Sequence, residues 1–131
     1  KMDQKKDSSS DTLIMSMIRH IEANYKHRDL CTDTLADVFN ISAPYLGKIF
    51  REKTSRSISE YITDTRMEKA KEMLEHSSHT IDEIIDRIGW ENKKYFYTIF
   101  KKSYGVTPSE YRLKTKVAKH PSDPDAPDRP M

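Results

Sequence analysis

Three groups of side chains in this sequence could do chemistry: one cysteine, one pair of histidines and a run of basic residues. Cys31 could serve as a nucleophile, and His76-x-x-His79 could serve as a pair of metal ligands. Cys31 flanks a predicted helix start, and the two histidines have no cysteine or clear carboxylate partner nearby, so both are weak candidates. We therefore expect no enzyme activity, no cofactor and no metal site.

The basic residues are concentrated near the end of the chain. Between Asn92 and Lys119, eight basic residues stand against Glu110 alone, whereas Ser57 to Glu91 holds four basic and nine acidic residues. The net charge of the whole chain is only +2, so the charge is polarised along the sequence. Such a run is either a solvated face or a surface that binds phosphate, and the motifs described below decide between the two.

Composition favours a small helical protein. With 35% hydrophobic residues, 34% charged residues and three glycines in 131 residues, an all-α fold is expected rather than a sandwich, barrel or doubly wound sheet. No apolar run suits a membrane span or a signal peptide, and the single cysteine excludes an internal disulfide, so we expect a cytoplasmic protein. Residues 1–10 and 120–131 lack periodicity and are predicted to be disordered. Because Met2 follows Lys1, we expect either a piece of a longer protein or a residue added at the N-terminus.

Apolar periodicity and capping residues predict about seven helices. Their predicted starts are Asp11, Thr32, Ser42, Ser57, Thr80, Asn92 and Thr107. Capping boxes are predicted at Ser57-x-x-Glu60, Thr80-x-x-Glu83 and Thr107-x-x-Glu110. The last helix is expected to be short. These elements group into a first subdomain over residues 11–56, a joining helix over 57–75 and a second subdomain over 76–119.

The sequence contains an internal repeat. A shift of fifty residues aligns YLGKIFREKTSRSISEY with YFYTIFKKSYGVTPSEY and brings six identical residues together. Upstream, a shift of forty-nine pairs Leu35 with Ile84 and Asn40 with Gly89, so one residue is inserted near the second turn. Each copy is predicted to be a helix, a tight turn and a helix. A duplicated hairpin that merely packs is the alternative, but such arrays generally need three or more repeats.

Between Ile18 and Arg112 the chain resembles the C-terminal DNA-binding domain of the AraC/XylS family of transcription regulators. The matching elements are LADVFNISAPYLGKIF, the stretch from Arg66 to Ala70 with Leu74, and IGWENKKYFYTIFKKSYGVTPSEYR. Ser55 stands where the family usually has glycine, and Ile85 where it usually has a small residue. The first copy looks most like the output domains of response regulators in this family, and a preceding sugar-sensing or membrane-anchored sensor domain is the alternative. The resemblance implies two helix-turn-helix subdomains joined by a long helix.

In a helix-turn-helix the second helix enters the major groove, so its exposed residues contact bases. Periodicity predicts an inward stripe on the two such helices, made of Leu46, Ile49, Phe50, Phe96, Ile99 and Phe100. The predicted base contacts are Pro44, Tyr45, Gly47, Lys48, Lys93, Lys94, Tyr97 and Thr98. Lys48 is expected on guanine. Gly47 stands where the family often has a base-contacting side chain, so it either allows a close backbone approach or contributes little specificity.

The predicted phosphate contacts surround these positions. They are Ser42, Arg51, Asn92, Lys101, Lys102, Arg112 and Lys114. Contacts of this kind hold a protein on DNA without carrying sequence information, and helix N-termini add backbone donors to them. Regularly spaced aromatic residues are predicted to be core rather than base-stacking groups, namely Trp90, Phe96, Phe100 and Tyr111.

These observations predict sequence-specific binding to double-stranded operator DNA. The joining helix spans about 28 Å, close to the length of about 34 Å for one DNA turn, so a monomer can engage two successive major grooves. No heptad seam is left for a dimer, and RNA polymerase is the expected protein partner. The alternative is a helical protein-interaction module without DNA binding, which a weak salt dependence of DNA affinity would reveal.

Overall fold

The computed structural model describes the backbone of residues 2–122 and the side chains of residues 10–115. Within that part of the chain there is no strand, and the helices are α1 (Met2–Asn24), α2 (Thr32–Phe39), α3 (Ala43–Thr54), α4 (Ile58–His76), α5 (Ile81–Arg87), α6 (Lys93–Tyr104) and α7 (Pro108–Ser122). The predicted all-α class is confirmed. None of the helices in the described residues is long and apolar enough to cross a membrane.

The chain forms two compact units, residues 1–66 and residues 67–131, which we call the first unit and the second unit. The boundary lies inside α4, whereas the sequence prediction set residues 57–75 apart as a joining helix. The difference has a physical cause, because α4 gives buried side chains to both units. Ile58 and Ile62 lie in the first-unit core, and Met67 and Leu74 are buried in the second unit.

The core of the first unit is built from one apolar face of each of its helices. Its fully buried or nearly buried side chains include Ile14, Met17, Ile21, Leu35, Leu46, Ile49 and Phe50. Arg66 of α4 binds the loop that follows α1. Its Nε lies 2.9 Å from the carbonyl oxygen of Tyr25, and its Nη2 lies 2.7 Å from that of His27. These bonds satisfy carbonyl groups beyond the end of α1, where no helical partner is available.

The second unit repeats this arrangement with larger side chains. Its buried residues include Ile84, Ile85, Ile88, Trp90, Phe96 and Phe100. The rings of Phe100 and Tyr111 pack edge-on with their centroids 5.9 Å apart. In the first unit the rings of Phe50 and Tyr61 pack in the same way, with centroids 5.5 Å apart. The Tyr111 hydroxyl donates to Glu75, and partial burial together with that bond raises the pKa of Tyr111 to about 12. The sequence repeat is therefore also a repeat of packing.

The turns between paired helices have identical hydrogen bonds in the two units. The N–H groups of Asn40 and Ile41 donate to carbonyls three and five residues earlier, at 3.2 and 3.1 Å. Gly89 and Trp90 make the same two bonds at the same distances. Asn40 and Gly89 both have left-handed backbones, with φ of 56° and 78°. The two predicted tight turns are confirmed.

The ends of α3 and α6 also match. Ser55 and Gly105 adopt left-handed φ values of 65° and 80°, and their N–H groups donate to Arg51 and Lys101 at 2.8 and 2.7 Å. This conformation costs a residue that carries a Cβ about 1–2 kcal/mol, whereas glycine adopts it freely. The turn before α4 therefore persists although serine stands where the family usually has glycine.

The three predicted capping boxes are confirmed: Ser57 with Glu60, Thr80 with Glu83, and Thr107 with Glu110. In each box the glutamate accepts the backbone N–H of the cap residue at 2.8–3.0 Å. These hydrogen bonds favour the carboxylate form and hold the pKa of each of the three glutamates below its usual value.

Three helix boundaries differ from the prediction. Cys31, not Thr32, caps α2, because the Thr34 hydroxyl accepts the N–H of Cys31 at 3.0 Å. Helix α1 begins at Met2, inside the segment predicted to be disordered over residues 1–10. Helix α7 continues to Ser122, so it is longer than predicted and enters the predicted tail. Residues 2–10 and 109–120 contain no Gly or Pro that would stop a helix. The rest of the tail, from residue 123, lies outside the described residues.

Candidate nucleic-acid interface

Helix α3 has one apolar face in the core and one polar face in solvent. Its N-cap is Ser42, whose Oγ accepts the N–H of Tyr45 at 3.4 Å, with Pro44 in the first turn. The predicted inward stripe is confirmed, since Leu46, Ile49 and Phe50 are buried. The exposed side chains among the predicted DNA contacts are Ser42, Pro44, Tyr45, Lys48 and Arg51.

Gly47 interrupts this exposed face of α3 without being required by packing. A Cβ atom added at Gly47 would meet no atom within 4 Å, so the protein itself leaves space for a side chain. Glycine in a helix interior lowers stability relative to alanine by about 0.8–1.0 kcal/mol. Neither packing nor helix stability therefore explains why glycine stands at position 47.

Helix α6 has the same design and more positive charge. Its N-cap is Asn92, whose Oδ1 accepts the N–H of Tyr95 at 2.9 Å. Phe96 and Phe100 are fully buried and Ile99 is half-buried, in agreement with the predicted stripe. The exposed side chains among the predicted DNA contacts are Asn92, Lys93, Lys94, Thr98, Lys101 and Lys102.

The side chain of Tyr97 on α6 is only partly accessible to a ligand. It was predicted to face outward, but it is half-buried, and its ring lies edge-on to that of Phe96 with centroids 5.9 Å apart. Tyr95 is the more exposed aromatic residue, at 53%, and stacks on Trp90 at 5.9 Å. The sequence prediction did not include Tyr95, although the repeat pairs it with the predicted contact Tyr45.

Lys93, a predicted base contact, has a carboxylate partner in the second unit. Its Nζ lies 2.7 Å from Oδ1 of Asp82, the second residue of α5. The hydrogen bond to Asp82 and the charge of that carboxylate raise the pKa of Lys93. The sequence prediction did not include Asp82, although the shift of forty-nine residues aligns it with an identical residue, Asp33.

The structure gives Arg112 a different role from the predicted phosphate contact. Its guanidinium donates to four backbone carbonyls around the end of α4, those of Met73, Leu74, Ser77 and His79, at 2.6–3.3 Å. The side chain is half-buried and points back into the second unit. The last carbonyls of a helix need such donors, so Arg112 serves the fold. Lys114, two residues later, is exposed.

The other residues considered for chemistry are Cys31, His76 and His79. Cys31 is exposed. Nε2 of His76 lies 3.3 Å from Oε1 of Glu75, and Nδ1 of His79 lies 3.6 Å from Oε1 of Glu83. Among the residues whose positions the structure describes, no group of three or more His, Cys, Asp or Glu side chains is placed to hold a metal ion. The polar faces of α3 and α6 are therefore the leading candidate surfaces.

Known proteins are similar to this chain in sequence and in fold. The helix-turn-helix domain family matches residues 35–114. The uncharacterized transcriptional regulatory protein YesN of Bacillus subtilis (strain 168) is 37% identical over 111 residues, which are 82% of this chain and 30% of that protein. The xylose operon regulatory protein of Escherichia coli (strain K12) is 32% identical over 105 residues, 80% of this chain and 26% of that protein. The chain thus spans less than a third of the length of these two relatives.

A solved structure agrees with the sequence matches. The C-terminal domain of AraT, a response regulator from Geobacillus stearothermophilus, superimposes with a TM-score of 0.74 at 33% identity, covering 77% of this chain and 84% of that one.

Proposed function

This chain belongs to the AraC/XylS family of helix-turn-helix transcription regulators, and we propose that it binds operator DNA through the exposed faces of α3 and α6. The observation that carries the proposal is the build of each unit. A short helix, a left-handed turn and a capped second helix repeat with the same hydrogen bonds, and the second helix keeps a polar face in solvent. A helix-turn-helix inserts such a face into the major groove.

Base contacts are proposed for residues on the solvent-facing sides of these two helices. In α3 they are Pro44, Tyr45 and Lys48, with Gly47 at the centre of the face; in α6 they are Lys93, Lys94, Tyr97 and Thr98. Lysine donates to guanine N7 and O6, and the tyrosine and threonine hydroxyl groups can donate or accept at base edges. Partial burial of Tyr97 supports a smaller role for it than for Lys93.

Phosphate contacts are proposed for exposed residues at the ends of the same helices and, in the case of Lys114, on α7. They are Ser42, Arg51, Asn92, Lys101, Lys102 and Lys114, and Arg112 is no longer among them. Ser42 and Asn92 are the caps of α3 and α6, so the free N–H groups of the first turns add to the attraction for phosphate.

For the assembly, we propose that one monomer places its two units in successive major grooves, and that RNA polymerase is its protein partner. Helix α4 contains 19 residues, about 28 Å of helix, which compares with a length of about 34 Å for one DNA turn. The likeness to AraT supports the output domain of a response regulator as the subgroup.

Selection from random duplexes tests the proposal. The chain is incubated with a pool of random duplex DNA at fixed salt, bound fragments are amplified through several rounds, and the enriched site is compared with a scrambled duplex. We expect an enriched motif with contacts separated by about one helical turn, bound more tightly than the scrambled duplex. The affinity should fall steeply with salt, because each phosphate contact releases counterions.

The alternative is a helical protein-interaction module. The acidic residues between Ser57 and Glu91 favour it, since they offer a surface of the opposite charge to DNA-binding faces. No enriched motif, together with a weak salt dependence of any residual DNA binding, would support this alternative and contradict the proposal.

A further inference from the structure

The ion pair between Asp82 and Lys93 lies on the surface that is proposed to meet DNA. Both side chains are exposed, at 67% and 57%, and the joined atoms are 2.7 Å apart. Exposed ion pairs add little to the free energy of folding, because water and salt screen them. The pairing with Lys93 therefore adds little to the stability of the unit, although an acid in the first turn of α5 is itself favoured by the helix dipole.

The first unit provides an internal comparison for this pair. Asp33 is the second residue of α2, as Asp82 is the second residue of α5. The helix that follows is the one proposed to enter the major groove, which we call the recognition helix. Its first residue is Ala43 in α3 of the first unit and Lys93 in α6 of the second. Alanine can form no ion pair, so the acid is common to both units and the pairing is particular to the second.

A carboxylate at this place has opposite effects on two kinds of complex. On unrelated DNA, Lys93 would have to leave Asp82 to neutralise a phosphate, and Asp82 itself repels phosphate. At a matching base step, the ammonium can keep Asp82 on one of its three donors and give another to guanine N7 or O6. The pair then holds the lysine toward base edges rather than the DNA backbone.

We propose that Asp82 is a specificity-determining residue of the second unit, which lowers the affinity for unrelated DNA more than the affinity for the operator. Specificity is a difference between two affinities, and a group that penalises the wrong complex increases it as surely as one that favours the right complex. This inference rests on the proposed function, because it requires α6 to contact bases.

The test measures Asp82→Asn on the selected duplex and on the scrambled duplex over a range of salt concentrations. On the scrambled duplex, affinity should rise roughly three- to tenfold and the salt slope should steepen by about one unit, because Lys93 becomes available to phosphate. On the selected duplex, affinity should change by less than about twofold, so discrimination falls. Asp82→Glu keeps the charge and should retain most of the discrimination.

Two control variants separate the ion pair from general effects. Asp33→Asn removes the same charge from the same helix position in the first unit, and should leave the ratio of the two affinities unchanged. In a Lys93→Ala background, Asp82→Asn should change both affinities by the same factor, since no lysine remains to be redirected. Thermal melting of each variant measures any loss of folding, and the Lys93→Ala comparison stays interpretable if Asp82→Asn is less stable.

The outcomes distinguish this inference from the proposed function. If the parent chain binds both duplexes equally, the proposed function fails first. If the parent discriminates and Asp82→Asn keeps the same affinity ratio, only the role of Asp82 is wrong. The role is also wrong if Asp33→Asn lowers the ratio as much as Asp82→Asn, because the effect would then come from helix charge alone.

Discussion

The first and second units differ least in the hydrogen bonds of their turns and most in the faces proposed to meet DNA. Both turns have the same two backbone hydrogen bonds, but the left-handed positions hold Asn40 and Ser55 in one unit and Gly89 and Gly105 in the other. The first unit therefore keeps its turns with residues that adopt this backbone at a cost. Both units have the same turn geometry, but the left-handed backbone costs more free energy in the first unit, because its residues carry a Cβ atom.

The recognition helices diverge more. Helix α6 carries four lysines and no acid, whereas α3 carries three basic residues, one acid and a central glycine. Buried positions correspond closely, since Phe50 and Phe100 fill the same place. The buried positions of the repeat have therefore kept their packing while the exposed positions have changed, so the two units should contribute unequally to stability and to recognition.

Replacing Trp90 with alanine should produce the largest difference in stability between the two units. The indole is only 8% exposed and lies 6.2 Å from the Phe96 ring, so the cavity should lower the free energy of unfolding by about 3–5 kcal/mol. Its counterpart Ile41 is partly buried, and Ile41→Ala should cost less, about 1–2 kcal/mol. Urea unfolding followed by circular dichroism measures both. If the two losses are equal, the turns are equivalent in energy as well as in geometry.

Arg112→Ala should rank second and act on folding rather than on DNA. It removes four hydrogen bonds to carbonyls near the end of α4, with an expected loss of about 2–3 kcal/mol. In the first unit Arg66→Ala removes two such bonds and should cost about 1–2 kcal/mol. Fluorescence of Trp90, the single tryptophan, follows the second unit during denaturation.

Lys114→Ala is the matched control for Arg112 because it lies on the same helix and is exposed. It should leave the unfolding curve unchanged and make the salt slope of DNA binding shallower by about one unit. If Arg112→Ala instead preserves stability and reduces the salt slope, then Arg112 contacts phosphate as the sequence first suggested.

Lys93→Ala tests which unit contributes more to recognition. It should weaken binding to the selected site by about 1–3 kcal/mol and relax the preference at one position, as for a lost base contact. Lys102→Ala should lower the affinity for all sequences similarly and reduce the salt slope by about one unit. Should Lys93→Ala weaken both sites equally while Lys48→Ala abolishes discrimination, the first unit would be the principal contact to bases.

Gly47→Ala distinguishes the two explanations of the glycine in α3. The space around it is open, so the variant should be more stable by about 1 kcal/mol, as for alanine replacing glycine in a helix. Unchanged operator affinity would mean that the first unit has a gap in its recognition face. A large loss of affinity would mean that the DNA backbone or a base approaches Gly47 closely.

The smallest effect is expected at the left-handed positions. Ser55→Gly should increase the free energy of unfolding by about 0.5–1 kcal/mol, because relief of the backbone strain exceeds the added entropy of the unfolded chain. Gly105→Ala should shift the free energy of unfolding in the opposite direction by a similar amount. If Ser55→Gly is neutral or destabilising, the first unit keeps serine there without penalty.

Local signals were sufficient for most elements of this fold. Each capping box links residues three positions apart, and each inward stripe depends on the helical period, so neither needs knowledge of distant contacts. The repeat identified both tight turns, because Asn40 and Gly89 align and both residue types tolerate a left-handed backbone. The exposed lysines of α3 and α6 followed from the same periodicity. Family resemblance then supplied the expectation of DNA binding.

The roles of Arg112, Asp82 and α4 were decided only by tertiary structure. Arg112 is basic like its exposed neighbours, and only the fold brings four carbonyls around the end of α4 within reach of its guanidinium. Asp82 is separated from Lys93 by eleven positions and a turn, so no helical period connects them. Helix α4 has one uninterrupted sequence pattern, yet its two halves pack into different cores. Sequence periodicity predicts which face of a helix is buried. The element that packs against this face, and the group that pairs with a charged side chain, depend on the path of the whole chain.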